Sequence, residues 1–323
     1  MNYWNPIKLV SVAGLPSTVV PRIGLVTVGG AAGAMLYRLA RKFPDLYRAI
    51  EINANAGHSS LHDVCADETI LICEGREKPA LPHEARAMAI PYEPTIEAAL
   101  KPFDLVVILA GMGGATGSGV APLVADIAKR AGVLAVGVAI TPFAFEGAQR
   151  ITNASSGVDA FQQSIHTVFT LDNERLFQSA NEGIAQQIDA TFLSLYCTIS
   201  QSFHNDGVVG IDFEDMQHVL GEPGSTAMGF ATASGGDRIT QAVMQAIAHP
   251  LLGSQALEQA TGIFVSIRSG GGYLEMKDVD TVKKIIRTHQ SPDAHFVCDA
   301  NFNPSLGENL SVSILATGIP NHD

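Results

Sequence analysis

The run Ala110-Gly111-Met112-Gly113-Gly114-Ala115-Thr116-Gly117-Ser118-Gly119 follows an apolar stretch, 105–109, and precedes a segment with helical spacing. Its chemistry is that of a phosphate cradle. Glycines let the backbone come within hydrogen-bonding distance of an oxyanion, several N–H groups then point inward, and the following helix sets its positive end there. The hydroxyls of Thr116 and Ser118 add two donors. One or two glycines suffice for a plain strand-to-helix turn, and this run has five. Another glycine loop, Gly29-Gly30-Ala31-Ala32-Gly33-Ala34, closes the apolar run 23–28. Farther along, Asp212 and Asp215 stand three residues apart at an expected helix start, where they share a face. Such a pair can orient one water, although spacing alone favours a plainer role as helix caps.

Both glycine loops sit where a strand hands over to a helix. Residues 23–28 read as a strand, 34–42 as a helix and 49–52 as the next strand; 105–109 and 134–139 read as strands around a helix over 120–130, and 167–171 adds another strand. This alternation predicts an α/β fold with a parallel sheet, a Rossmann-like nucleotide-binding domain over 23–183. Residues 184–203 hold neither Gly nor Pro, and Ile184, Ile188, Phe192, Leu195 and Ile199 recur every three or four positions, which predicts a long buried central helix within 184–205. Beyond it, 219–229 reads as loop, 237–248 and 279–289 as helices, and 262–267, 295–299 and 310–316 as strands, making a smaller C-terminal α/β domain over 206–319. Pro6, Pro16 and Pro21 make 1–22 an extended arm, and 320–323 is a short tail.

Of the 323 residues, 46% are hydrophobic and 16% charged, which is ample material for a packed core and argues for two domains. The net charge of -12 and the lack of a basic stripe exclude a nucleic-acid surface, while leaving local phosphate binding through backbone amides open. Cys65, Cys73, Cys197 and Cys298 show neither CxxC spacing nor zinc-type grouping, as expected of free thiols in a reducing compartment. No apolar run reaches the roughly 18 residues of a membrane span, so no direct membrane insertion is expected and the protein is assigned to the cytoplasm. The histidines, among them His58, His62, His83, His166, His204, His249 and His289, fall at no ligand spacing, so no metal site of the chain's own is expected.

At these loops the sequence resembles the tubulin and FtsZ superfamily. The run from Ala110 is similar to the tubulin signature GGGTGSG and closer to the FtsZ form AGMGGGTGTG, with Ala115 and Ser118 as departures. Thr141-Pro142-Phe143-Ala144-Phe145-Glu146-Gly147 with Arg150 resembles KPFxFEGxxR, Asn173-Glu174-Arg175-Leu176 resembles NDRL, Gly210-Ile211-Asp212-Phe213-Glu214-Asp215 resembles NVDFAD, and Ala316-Thr317-Gly318-Ile319 resembles the closing ATGI. These keep the family's order along nearly the whole chain. The resemblance implies GTP or GDP, with Mg2+, held by Gly29, Gly30, Gly33, Asn53, Gly111, Gly113, Gly114, Ala115, Thr116, Gly117, Ser118, Gly119, Pro142 and Asp189, with Glu146 binding the ribose and Arg150 approaching the phosphates. A carboxylate suits hydroxyl donors and a guanidinium fork suits phosphate oxygens. It also implies self-association head to tail into filaments, in which the acidic loop bearing Asp212 and Asp215 enters the neighbour's pocket and positions a water against the terminal phosphate.

Several positions depart from the family. Ala34 replaces the asparagine that contacts guanine, the stacking phenylalanine falls on Ala185, and the guanine-reading aspartate falls on Ala190 with Asp189 one position away. The strand-end NTD motif reads Asn53-Ala54-Asn55, Gly75 is the lone glycine where a terminal-phosphate loop is expected, and Gly210 replaces an asparagine of the acidic loop. Losing one polar group at a developing charge costs of order 10² to 10³ in rate, so the expectation is slow GTP hydrolysis with altered base preference. The alternative is a non-hydrolysing structural filament or an accessory scaffold, with another tubulin-like protein as a partner. The chain stops at Asp323 without the linker and adaptor peptide of FtsZ-type proteins, which sets up the expectation of a divergent relative and not the main division polymer. A dinucleotide-binding fingerprint also fits the first loop, because Glu51 lies about 20 residues beyond Gly30, where a ribose-binding acid falls in that pattern. It leaves the richer 111–119 loop unexplained.

Overall fold

The computed structural model describes residues 20–43, 48–54, 66–73, 77–179, 183–203, 208–270 and 274–320. Most of the expected N-terminal arm, the end of the tail, and Asn55, His58, His62, Cys65, Gly75 and His204 lie outside the described residues. The chain forms two compact units, one over Arg22–Phe192 and the other built on Leu193–Asp323.

The first unit comprises β1 (Ile23–Val28), α1 (Gly30–Lys42), β2 (Ala49–Asn53), β3 (Glu68–Leu71), α2 (Pro82–Ala89), α3 (Glu93–Leu100), β4 (Leu105–Gly111), α4 (Ala115–Arg130), β5 (Leu134–Thr141), α5 (Ala148–Ser164), β6 (Thr167–Asp172) and α6 (Asn173–Ser179). The strands form a six-stranded sheet in the order β3-β2-β1-β4-β5-β6, and every pair is parallel. Continuous apolar runs dictate this: Leu105 to Ala110 are fully buried, as a strand covered by helices on both faces requires. Successive strands run outward from β1 through β2 to β3, and the chain then returns to pair β4 with β1. The loops leaving β1 and β4 therefore diverge to opposite faces, opening a crevice at the carboxyl ends of these two strands.

Both helices that follow the glycine loops begin earlier than hydrophobic periodicity indicates, α1 at Gly30 and α4 at Ala115. Periodicity misses the first turns because glycine is a poor helix former, yet close packing demands it there. A Cβ on Gly117 would lie 2.0 Å from the Gly111 carbonyl oxygen, and one on Gly119 would lie 2.0 Å from the Pro82 carbonyl oxygen. Helix α5, not anticipated from its polar sequence, buries Ala154, Gly157, Phe161 and Ser164 along one face.

Helix α7 (Ile184–Ser200) contains the point at which the units divide. The second unit continues with α8 (Phe213–Gly221), β7 (Ser225–Ala233), α9 (Arg238–Ile247), α10 (Ser254–Gln259), β8 (Gly262–Ser269), α11 (Met276–Arg287), β9 (His295–Phe302) and β10 (Leu310–Ile319). Its sheet has the order β7-β10-β8-β9, with β10 antiparallel to both neighbours and β8 parallel to β9. Strand β7 occupies much of the segment read as loop. Its small residues are set by the helix lying on it, since a Cβ on Gly229 would fall 2.1 Å from the Ala246 carbonyl oxygen of α9.

Candidate functional site

A cleft of about 280 Å³ opens at the strand-order reversal. Gly29, Gly30 and Ala31 line it after β1; Gly111, Met112, Gly114, Ala115, Thr116 and Gly117 line it after β4; Ile140, Thr141, Pro142, Glu146, Arg150 and Asn173 complete the wall. Helices α1 and α4 both present their N-termini here. Among the described residues neither has a side-chain cap, and neither carries an acid in its first turn. Their first-turn N–H groups thus lack intrahelical partners, and two positive helix ends meet at one cleft.

The two glycine loops interlock. Gly29 at φ 83° and Gly113 at φ 98° take a conformation that disfavours any side chain. A Cβ on Gly111 would come within 2.7 Å of the Ala31 Cβ, and one on Gly29 within 3.2 Å of the Gly117 nitrogen. Ser118 is buried, and its Oγ accepts the Gly113 N–H at 2.8 Å, so this hydroxyl shapes the loop. Asn153 supports the same turn by donating from Nδ2 to the Gly113 carbonyl at 3.3 Å.

On the facing wall Arg150 Nη1 pairs with Glu146 Oε2 at 2.5 Å, while Glu146 Oε1 accepts the Phe143 N–H at 2.9 Å. The backbone bond and the ion pair hold the carboxylate at the rim, and the Arg150 side chain remains 58% exposed. Asn173, at the start of α6, is buried in the wall, and among the described residues its Oδ1 has no hydrogen-bond partner. A buried amide oxygen without a partner is costly unless something else supplies the donor. Sequence reasoning quoted Asn173 within a motif but did not assign it to the site; its place directly after β6 was the available signal. Ala31, Met112 and Thr141 fall within the glycine loops and the 141–147 segment, and Ile140 directly precedes that segment, so their place beside the expected site residues was the available signal.

Six residues expected at the site stand away from the cleft lining: Gly33, Asn53, Gly113, Ser118, Gly119 and Asp189. A Cβ on Gly33 would meet Glu51 Oε1 at 2.6 Å. Asn53 Nδ2 donates to the same oxygen at 3.1 Å. Glu51 is 1% exposed in the middle of β2, so the dinucleotide reading, which needs an accessible acid, is overturned. Asp189 on α7 is buried, and both its oxygens are engaged by Arg38, Oδ2 by Nε at 2.9 Å and Oδ1 by Nη2 at 2.7 Å. That pairing holds the Arg38 guanidinium above its usual range.

In the second unit Asp212 and Asp215 form a capping box at the start of α8. Asp212 Oδ1 accepts the Asp215 N–H at 2.8 Å, and Asp215 Oδ2 accepts the Asp212 N–H at 3.3 Å. The pair is in solvent reach, and each carboxylate uses one oxygen in the cap.

Residues 51–181 match the family described as Tubulin/FtsZ family, GTPase domain, and residues 224–320 match the FtsZ family, C-terminal domain. The chain is 33% identical over 322 residues to the cell division protein FtsZ of Rickettsia felis, covering 94% of this chain and 69% of that one. The chain belongs to the tubulin and FtsZ family. It is also 33% identical over 308 residues to FtsZ of Rhizobium radiobacter, covering 93% of this chain and 52% of the other, so it spans about half the length of that relative. The FtsZ dimer of M. jannaschii superposes with a TM-score of 0.81 at 27% identity, over 92% of this chain and 88% of that one. CetZ2 of Haloferax volcanii, solved as a GTPγS-bound protofilament, shares the fold at a TM-score of 0.74, with 20% identity over 94% of each chain. The GTPase-domain match takes in the 111–119 loop, the Glu146–Arg150 pair and Asn173, and begins beyond the 29–33 loop.

Proposed function

We propose that this protein binds GTP or GDP in the cleft between the β1 and β4 loops and assembles head to tail into cytoplasmic filaments, with slow GTP hydrolysis completed by the acidic loop of the adjacent subunit. The observation that carries the reading is the meeting of two uncapped helix N-termini through interlocked glycine loops. Converging N–H groups there suit a chain of phosphates. Glu146 is placed to accept from ribose hydroxyls, Arg150 to neutralise a phosphate oxygen, and the unpartnered Asn173 Oδ1 to accept from a base or sugar donor. Magnesium, arriving with the nucleotide, would supply further charge neutralisation. Asp212 and Asp215 act from the neighbouring subunit by holding a water in line with the terminal phosphate, and Gly210 leaves them without a third polar group. Membership of a family whose relatives are named as division proteins supports a role in division or a related filament process. Among the described residues no helix is long and apolar enough to cross a membrane.

A second reading, a filament or scaffold that has stopped hydrolysing, is favoured by one observation: both acids already satisfy each other's backbone in the capping box. Phosphate release from GTP and from ATP, measured across protein concentration with polymer pelleted from the same samples, separates the two. Turnover that rises cooperatively with concentration and vanishes in Asp212→Ala supports the first. Polymer without phosphate release supports the second, and neither polymer nor nucleotide binding defeats both.

A further inference from the structure

Histidine spacing along the chain predicts no metal site, yet the folding of the second unit brings two histidines together. His218 stands near the end of α8, and His295 opens β9. Both are exposed, and their ring centroids lie 5.8 Å apart with the planes tilted by 53°. His218 Nδ1 is 2.9 Å from the Glu214 carbonyl oxygen, one turn earlier in the same helix. A carbonyl oxygen only accepts, so this nitrogen is the donor and carries the proton. In the neutral ring Nε2 is then left with its lone pair free. A histidine whose other nitrogen donates to a backbone carbonyl has the arrangement usual for a metal ligand, because that bond fixes the tautomer and the orientation of the ring.

The separation of the rings fits one ion held between them. A Zn–N bond of about 2.0–2.1 Å, plus about 1 Å from the nitrogen to the ring centre, sets each centroid about 3 Å from a shared ion, so two ligating rings lie up to about 6 Å apart. The observed 5.8 Å falls within that reach. Imidazole nitrogen suits zinc, copper and nickel, whereas magnesium and calcium take oxygen ligands. Local charge favours a cation as well. Glu222, directly after α8, accepts the Thr261 hydroxyl at 2.7 Å, and the Thr261 carbonyl accepts the His295 N–H at 2.7 Å. These bonds fix a carboxylate in the same patch, where its charge attracts a dication. Among the described residues no group of three or more His, Cys, Asp or Glu side chains is set to hold a metal, so water completes the coordination and the ion exchanges readily. We propose that His218 and His295 form a surface site for a divalent transition ion of the zinc, copper and nickel class, ligated through Nε2 of His218 and a ring nitrogen of His295. The ion ties α8, whose N-terminal cap is made by Asp212 and Asp215, to the start of β9. The site lies wholly in the second unit and does not rest on the nucleotide reading.

Calorimetric titration of the full chain with zinc chloride, without nucleotide or magnesium, tests the site, with thermal melts of the same samples. The wild type is expected to bind one zinc ion and to melt at a higher temperature with it. His218→Ala and His295→Ala each replace an exposed side chain, so both should fold. Each should weaken zinc binding by at least the roughly tenfold to hundredfold that loss of even an outer partner of a metal ligand costs, and should abolish the rise in melting temperature. A wild type that binds no zinc would overturn the proposal, as would unchanged zinc affinity in either folded variant, which would place the ion on other side chains. Anomalous scattering from a zinc-soaked crystal of the wild type gives an independent readout that needs no variant. A peak between the two rings is expected, and a peak elsewhere or none refutes the site.

Discussion

Replacing Gly117 with alanine puts a methyl carbon 2.0 Å from the Gly111 carbonyl oxygen, whereas real Cβ atoms essentially never come closer than 3.0 Å. The β4–α4 loop must therefore open by about 1 Å. The obstacle is backbone at the end of a fully buried strand, so it cannot swing aside as a side chain would. Alanine favours a helix over glycine by about 1 kcal/mol, while overpacking costs about 1–3 kcal/mol, so fold stability should fall only slightly. Binding should suffer more. A cradle opened by 1 Å loses one or two N–H bonds to a charged phosphate, worth about 1.5–3 kcal/mol each, which is at least about tenfold and at most about 2 × 10⁴-fold in Kd. Gly221→Ala is the control: it lies outside the cleft at the end of α8, and nothing lies within 4 Å of its Cβ. Titration of a fluorescent GTP analogue, with thermal melts alongside, measures both. Binding by Gly117→Ala as tight as wild type would refute the idea that the interlocked loops form the phosphate site.

Other predictions concern the remaining charged groups. Asp212→Ala should lose about 1 kcal/mol of stability through its cap, whereas Asp212→Asn keeps the cap; a loss of phosphate release in Asp212→Asn at wild-type melting temperature would assign the carboxylate to chemistry. Arg38→Ala strands the buried Asp189 and should cost about 1–3 kcal/mol, with Arg38→Ala/Asp189→Ala recovering part of it in denaturant melts; equal melts for the single and double variants would refute the pairing. Burial pushes the Asp299 carboxyl up to about 6 from its ordinary 3.8, against the opposing pull of Arg268, Ser266 and Ser202. The folded state thus holds that proton more tightly than the unfolded chain. This contribution is fully present below the ordinary value and is lost as pH rises through about 6. Stability of the second unit should therefore gain from acidification by about 1 kcal/mol between pH 7 and 5, and by about 3 kcal/mol once pH falls below 3.8, and Asp299→Asn should remove that slope.

Periodicity and composition alone determined much about this protein. The apolar runs at β1, β4 and β5 required a parallel sheet, the spacing from Ile184 to Ile199 required a long helix, and five glycines clustered where a buried strand hands over to a helix gave the expectation of a phosphate cradle. These are local signals, legible because each residue type restricts its own backbone. Tertiary structure decided what depends on partners far along the chain. It turned Ser225–Ala233 into a strand by laying α9 against it, and sank Glu51 beneath α1. It gave Asp189 to Arg38 across 151 positions, brought Asn173 into the cleft wall, and stacked Ser266, Arg268, Asp299 and Asn301 into one enclosed layer. A buried polar group acquires its meaning from the donors and acceptors packed around it, and those neighbours are assigned by the folding of distant segments.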